Sequence, residues 1–121
     1  MDSTETLEKL KDSVKKFCED REWDQYHSPK ELAIGLITEA SELLEIFRFK
    51  SEKEIKEILE DPRKREMIGD ELADVLYFIL RFSQMYGFDI SSEIDRKLKK
   101  NENRYPVQKS KGMNKKYSEY V

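Results

Sequence analysis

The stretch that most limits what this chain can become is "PRKREMIGDELADVLYFILRFSQMYG", Pro62 to Gly87. Proline opens it, glycine closes it, and only Gly69 weakens the interior as a helix. At about 100° per residue, Val75, Leu72, Leu76, Leu80, Ala73 and Tyr77 spread over well more than half of its circumference. A helix apolar nearly all round has to be covered on all sides, so the spacing predicts the central helix of a bundle. Its neighbours in a chain of 121 residues are short, and the rest of the cover is expected from a second copy. One position breaks the pattern. Glu71 falls within about 20° of both Phe78 and Phe82, and Asp74 lies one border away, between Met67 and Arg81.

A second amphipathic stretch repeats the device. Leu32, Leu36, Leu43, Phe47, Ala40, Leu44 and Ile37 fill one arc, and Glu39 lies inside its edge, roughly 20° from Leu32 and Ile46. Glu42 sits at the border of that arc. The two stretches thus carry E-x-x-E (Glu39, Glu42) and E-x-x-D (Glu71, Asp74). An i,i+3 spacing puts each pair on one side of its helix, with Cβ atoms ~5–6 Å apart. Antiparallel packing of the two apolar faces would bring four carboxylates into one partly buried cluster.

Start and stop signals divide the remainder. A first helix is expected from about Glu5 to Asp20, with Leu7, Leu10, Val14 and Phe17 on one stripe. After the connection "REWDQYH", Ser28 reads as an N-cap, Pro29 as the first helical residue and Glu31 as the closing member of a capping box, for a helix ending near Phe47. "SEKE" (Ser51 to Glu54) is another box and opens a short helix ending near Glu60. A fifth helix runs from about Ser92 to Asn103 and stops before "RYP". Residues 107–121 read as a basic, flexible tail. The fold class is all-α: a single domain over 1–121, a small four/five-helix bundle whose core is shared across a homo-oligomer.

Composition narrows the partners. With 23 Lys and Arg against 26 Asp and Glu, the net charge is -3, which disfavours a nucleic-acid polymer. Cys18 is the sole cysteine, so an internal disulfide is excluded and a reducing compartment is expected. "MDSTETLEKL" has no apolar core of a signal peptide, and no apolar run approaches the ~20 residues that span a bilayer. A cytoplasmic protein with no membrane partner is expected.

Glutamates at i,i+3 are usually a solvated surface, but core-facing angles at Glu39 and Glu71 change the balance. Four converging carboxylates repel and are pushed toward protonation, and Arg81 is the one basic near neighbour on these stretches. A divalent cation is the simplest external source of positive charge. All-oxygen ligands suit Mg²⁺, or Mn²⁺ in its place. A di-iron bundle needs Glu-x-x-His pairs, and the only histidine, His27, lies in a connection. Hard cations on a small helical bundle point to phosphate chemistry. The rival of another class is a non-catalytic helical interaction module, whose stability would not respond to divalent ions.

These residues reach a known family. Glu39-x-x-Glu42, a 28-residue gap and Glu71-x-x-Asp74 resemble the all-α nucleoside triphosphate pyrophosphohydrolases, the MazG-like group. The blocks "DREWDQYHSPKEL" (Asp20 to Leu32), "EASELLEIFRFK" (Glu39 to Lys50), "DELADVL" (Asp70 to Leu76), the series Lys97, Asn101, Arg104-Tyr105-Pro106, and "KKYSEY" near the end resemble its dCTP pyrophosphatase branch. The resemblance covers nearly the whole chain. It implies hydrolysis of a nucleoside triphosphate between its α- and β-phosphates, giving a monophosphate and pyrophosphate. It implies that Glu39, Glu42, Glu71 and Asp74 hold Mg²⁺ and carry catalysis, and that Lys97, Asn101 and Arg104 bind phosphate. Trp23, His27, Phe49, Phe78 and Tyr105 match positions around the base, and Glu45 continues the E-x-x-E spacing, placed to orient water or a ligand. A homodimer or dimer of dimers is implied as well, with the active site shared between copies. The chain departs from the branch in two places: Phe49 replaces a Trp, and Phe78 stands where the branch often has Tyr. The lost hydroxyl is expected to relax recognition of the base edge, so a broad house-cleaning hydrolase is the alternative to a dCTP-preferring one.

Overall fold

Caps set the boundaries of the helices. Thr6 accepts from the Lys9 amide and starts α1 (Leu7–Glu19). Ser28 accepts from the Glu31 amide and starts α2 (Pro29–Phe47), with Pro29 in its first turn. At Ser51 both halves of the capping box form, opening α3 (Glu52–Glu60). Asp61 accepts from the amides of Arg63 and Lys64 and starts the long α4 (Pro62–Tyr86). That helix ends at Gly87, whose φ of 75° is the left-handed conformation that glycine adopts without a Cβ clash. Asp89 then caps α5 (Ile90–Arg104), two residues earlier than the sequence reading placed its start. The computed structural model describes residues 1–120. Among them there is no strand, and no helix is long and apolar enough to cross a membrane.

The chain divides into two compact units, Met1–Gly87 and the part from Phe88 onward. In the first, α4 is the central element and packs against α1, α2 and α3, most extensively against α2. Gly35 of α2 lies under the Phe78 ring of α4, so close that a Cβ there would overlap the ring. Glu39 and Glu42 meet Glu71 further along the same interface, so the two helices run antiparallel. On α1, the Cys18 sulfur lies 3.0 Å from the Tyr77 hydroxyl, and the Phe17 and Tyr77 rings meet edge to face. Among the described residues, Cys18, Leu32 and Leu80 are the buried apolar ones. The core of one chain is therefore thin. α4 is not covered all round as its pattern predicts: Leu72 is 53% exposed, and Ile37 and Leu44 of α2 are 70% and 60% exposed.

The second unit holds α5 and a folded continuation rather than a featureless tail. Pro106 precedes a short helix α6 (Val107–Ser110), and a 3-10 turn spans Tyr117–Glu119. The Tyr105 ring packs edge-on against Tyr117 and Tyr120, and the Ser110 and Tyr120 hydroxyls lie 2.6 Å apart. The polar composition concealed three aromatic rings spaced to fold back on one another.

Candidate active site

Three of the four expected carboxylates converge. Glu39 and Glu42 on α2 and Glu71 on α4 each bring an oxygen within 4.8 Å of the others. The antiparallel packing does this: an i,i+3 pair on one helix faces a single residue on the next. The Oε2 atoms of Glu39 and Glu71 are sealed from solvent and have no hydrogen-bond partner. Buried polar atoms are nearly always satisfied, so two orphans in one cluster indicate a missing positive group. Hydrogen bonding to Glu42, then burial, then the Glu42 charge push the Glu39 carboxyl up to about 7. Burial, more than anything else, pushes Glu71 up, with the charges of Glu42 and Asp74 adding to it. Asp74 is exposed and lies outside the close trio, but its charge reaches both buried carboxyls. An all-oxygen set with two unsatisfied buried acceptors fits a hard divalent cation.

Beside the trio lies a cavity of about 370 Å³, lined by Glu42, Glu45, Glu71, Met67 and two lysines, Lys50 and Lys64. Glu45 holds Arg48 at 3.0 Å while facing this space. The lysines correct the reading that Arg81 alone neighbours the carboxylates. Lys64 stands two turns before Glu71 and within about 20° of it on the helical wheel, so the pattern that singled out Glu71 also marks Lys64. Arg81 is instead turned toward the connection between α1 and α2, where it meets Asp24 and His27.

The expected base-side residues separate into groups. Trp23 and His27 are neighbours, with ring centroids 6.2 Å apart at 63°. Phe17 links Trp23 to Tyr77, and Tyr77 meets Phe78, so these rings form one edge-to-face series. Phe78 is the wall of this series that packs on Gly35. Phe49 stands apart in character: it is 89% exposed, has φ of 62°, and carries the Arg48 guanidinium 4.5 Å from its ring centroid. A left-handed φ in an aromatic residue is strained, and here it holds the ring out toward solvent beneath the Arg48 guanidinium.

The family model described as MazG-like matches residues 34–120, the span that begins just before Glu39 and contains the whole trio and its cavity. The chain belongs to the MazG-like family. The dCTP pyrophosphatase 1 of Mus musculus is 32% identical over 114 residues, covering 94% of this chain and 67% of that protein. The Homo sapiens dCTP pyrophosphatase 1 is 31% identical over the same shares. A solved pyrophosphatase from Archaeoglobus fulgidus DSM 4304 superposes with a TM-score of 0.76 at 38% identity, covering 83% of this chain and 92% of that one.

The other residues singled out in this MazG-like chain lie in its second unit. Lys97 is exposed on α5, and Asn101 and Arg104 are half-buried on the same helix. The Arg104 guanidinium lies 4.9 Å from the Tyr117 ring centroid, and Tyr105 caps the helix by donating its amide to the Asn101 carbonyl at 2.7 Å. Asn101, Arg104 and Tyr105 thus meet at the C-terminal end of α5, where Arg104 and Tyr105 both contact Tyr117, and Lys97 lies about two turns before Arg104.

Proposed function

We propose that this chain is a Mg²⁺-dependent nucleoside triphosphate pyrophosphohydrolase, converting a triphosphate and water to the monophosphate and pyrophosphate, with dCTP or a 5-substituted dCTP as its preferred substrate. The observation that carries the reading is the pair of orphaned, buried carboxylate oxygens of Glu39 and Glu71, facing Glu42 beside a cavity with two lysines. When bound, a divalent cation there supplies charge to phosphoryl oxygens and acidifies its water; Mn²⁺ is the expected substitute. Glu39, Glu42 and Glu71 hold it, and Asp74 adds charge at the rim. Lys50 and Lys64 offer ammonium donors to phosphate oxygens in a cavity whose size suits a phosphate chain. Glu45, tied to Arg48, orients polar groups at the same wall. Lys97, Asn101 and Arg104 as phosphate ligands, and Phe49 and Tyr105 at the base, enter on the family resemblance. The Trp23–His27 pair and Phe78 supply aromatic faces, on which any base can stack. The buried free thiol of Cys18 suits a cytoplasmic protein.

The names borne by the relatives support the reaction, and Phe78 sets the expected selectivity. Lacking a hydroxyl there, the pocket discriminates by about one hydrogen bond, or several-fold. In Mg²⁺, a panel of the eight common triphosphates should show the highest kcat/KM for dCTP, with pyrophosphate as the product resolved by anion exchange. A purine as best substrate, or orthophosphate as product, would refute the assignment.

The same reading includes a homodimer or a dimer of dimers. It is supported by the bare apolar side chains of Ile37, Leu44 and Leu72 on the two helices that carry the carboxylates. Sedimentation equilibrium at micromolar concentration should give a multiple of the chain mass, and a monomer would overturn it.

A further inference from the structure

Arg81 interrupts the apolar pattern of α4 and yet is 1% exposed. Each of its three guanidinium nitrogens has a partner: Nε donates to His27 Nδ1 at 2.9 Å, Nη1 donates to the Gln84 side-chain oxygen at 2.7 Å, and Nη2 donates to the Asp24 carboxylate. A guanidinium has donors and no acceptor. The imidazole nitrogen facing it must therefore present a lone pair, and the ring proton of a neutral histidine is left on Nε2. The Tyr86 hydroxyl donates to the His27 carbonyl at 2.6 Å, and the Trp23 ring meets the imidazole at its edge, so backbone and ring are both held. Burial and the Arg81 charge also keep His27 below its usual range, partly opposed by Asp24. Nothing in the carboxylate trio requires this arrangement.

We infer that Arg81 is a positioning residue: with Asp24 it fixes His27 as the Nε2–H tautomer, so that the imidazole offers one hydrogen-bond donor to an acceptor on the nucleobase edge. The inference rests on the proposed reading of the Trp23–His27 surface as base-holding. Cytosine presents two acceptors, O2 and N3, on the edge next to its amino group, and substitution at C5 leaves both in place. A locked donor matches that edge and is indifferent to the 5-substituent. A histidine free to switch tautomers would meet donor and acceptor edges alike.

The chain has one histidine, so long-range ¹H–¹⁵N spectra of the ¹⁵N-labelled full chain report on His27 alone. The wild type should show a protonated Nε2 and a lone-pair Nδ1 at neutral pH. Arg81→Met keeps the side-chain volume and leaves Asp24, 56% exposed, in contact with water; it should give mixed tautomers. Asp24→Asn, at the exposed partner, should do so to a lesser degree and serves if Arg81→Met fails to fold. Both should raise KM for dCTP about fivefold with kcat little changed, the signature of a lost contact made equally in the ground and transition states. A protonated Nδ1 in the wild type, or a tautomer unmoved by both variants, overturns the inference. So does an unchanged KM in Arg81→Met, Asp24→Asn and His27→Leu alike, in which case pyrophosphate release by the wild type leaves the hydrolase reading standing. A wild type that turns over no triphosphate removes the hydrolase reading and the base acceptor with it, even where the tautomer signature is as expected.

Discussion

Glu42→Gln and Glu71→Gln are each expected to lower kcat/KM for triphosphate hydrolysis by about 10²-fold or more, with the helical circular dichroism retained. The carboxamide has the shape of the carboxyl but removes one negative charge from a site in which Glu39 and Glu71 are already pushed toward protonation. Stability should move the opposite way for Glu71. In EDTA, Glu71→Gln removes repulsion within the trio and gives the orphaned position a neutral group, so its melting temperature should exceed that of the wild type. A glutamate whose role was structural would show the reverse, losing stability on substitution and sparing turnover. Near-native hydrolysis by either variant, or a lower melting temperature for Glu71→Gln in EDTA, would sink the assignment of the trio as a cation site.

How far the chain could be read without coordinates follows from which interactions are local. Caps are local, so Ser28, Ser51, Asp61 and Gly87 mark their helices correctly. Even there the reading overreached at Ser28, where the serine side chain bonds the Glu31 amide but the return bond seen at Ser51 is not formed. The helical wheel also carried the central anomaly, because burial on a helix follows angular position. Glu39 and Glu71, the two carboxylates placed inside apolar arcs, are the two with sealed oxygens. Glu42, at a border, and Asp74, beyond one, are exposed.

Long-range pairings were not legible. Arg81 lies beside Asp74 on a wheel, which says nothing of the direction its long side chain takes. Its partners stand 54 and 57 residues away, on a connection whose path depends on the 3-10 turn Asp24–Tyr26. The approach of Gly35 to Phe78 is of the same kind: either residue alone is unremarkable, and only the register of α2 on α4 joins them. Lys50 is hidden from the sequence for a different reason. It follows the end of α2, outside the periodic segment, and a periodicity argument cannot place a residue that has left the period.

The metal-free protein should lose stability as pH rises from about 5 to 8, and Mg²⁺ should reverse that loss. In the folded chain the Glu39 carboxyl titrates at about 7, against 4.5 for the ordinary group. Between those values the native state binds more protons than the unfolded state, so stability falls with increasing pH. The contribution of this group is fully present below the ordinary value and is gone once the pH has climbed through about 7. The difference in slope between wild type and Glu39→Gln in EDTA isolates this group, and the variant should be flatter. Mg²⁺ held by the deprotonated trio of the folded chain alone would have to displace the proton. Its stabilising effect should therefore grow with pH, reaching about 2.7 kcal/mol at a hundredfold excess over Kd, which for a chain of this size raises Tm by roughly 10 °C. NaCl at matched ionic strength should do much less, since screening weakens repulsion without filling the orphaned oxygens. An equal rise in NaCl, or a Mg²⁺ effect that shrinks as pH increases, would show that the trio is an ordinary acidic patch and not a place for a cation.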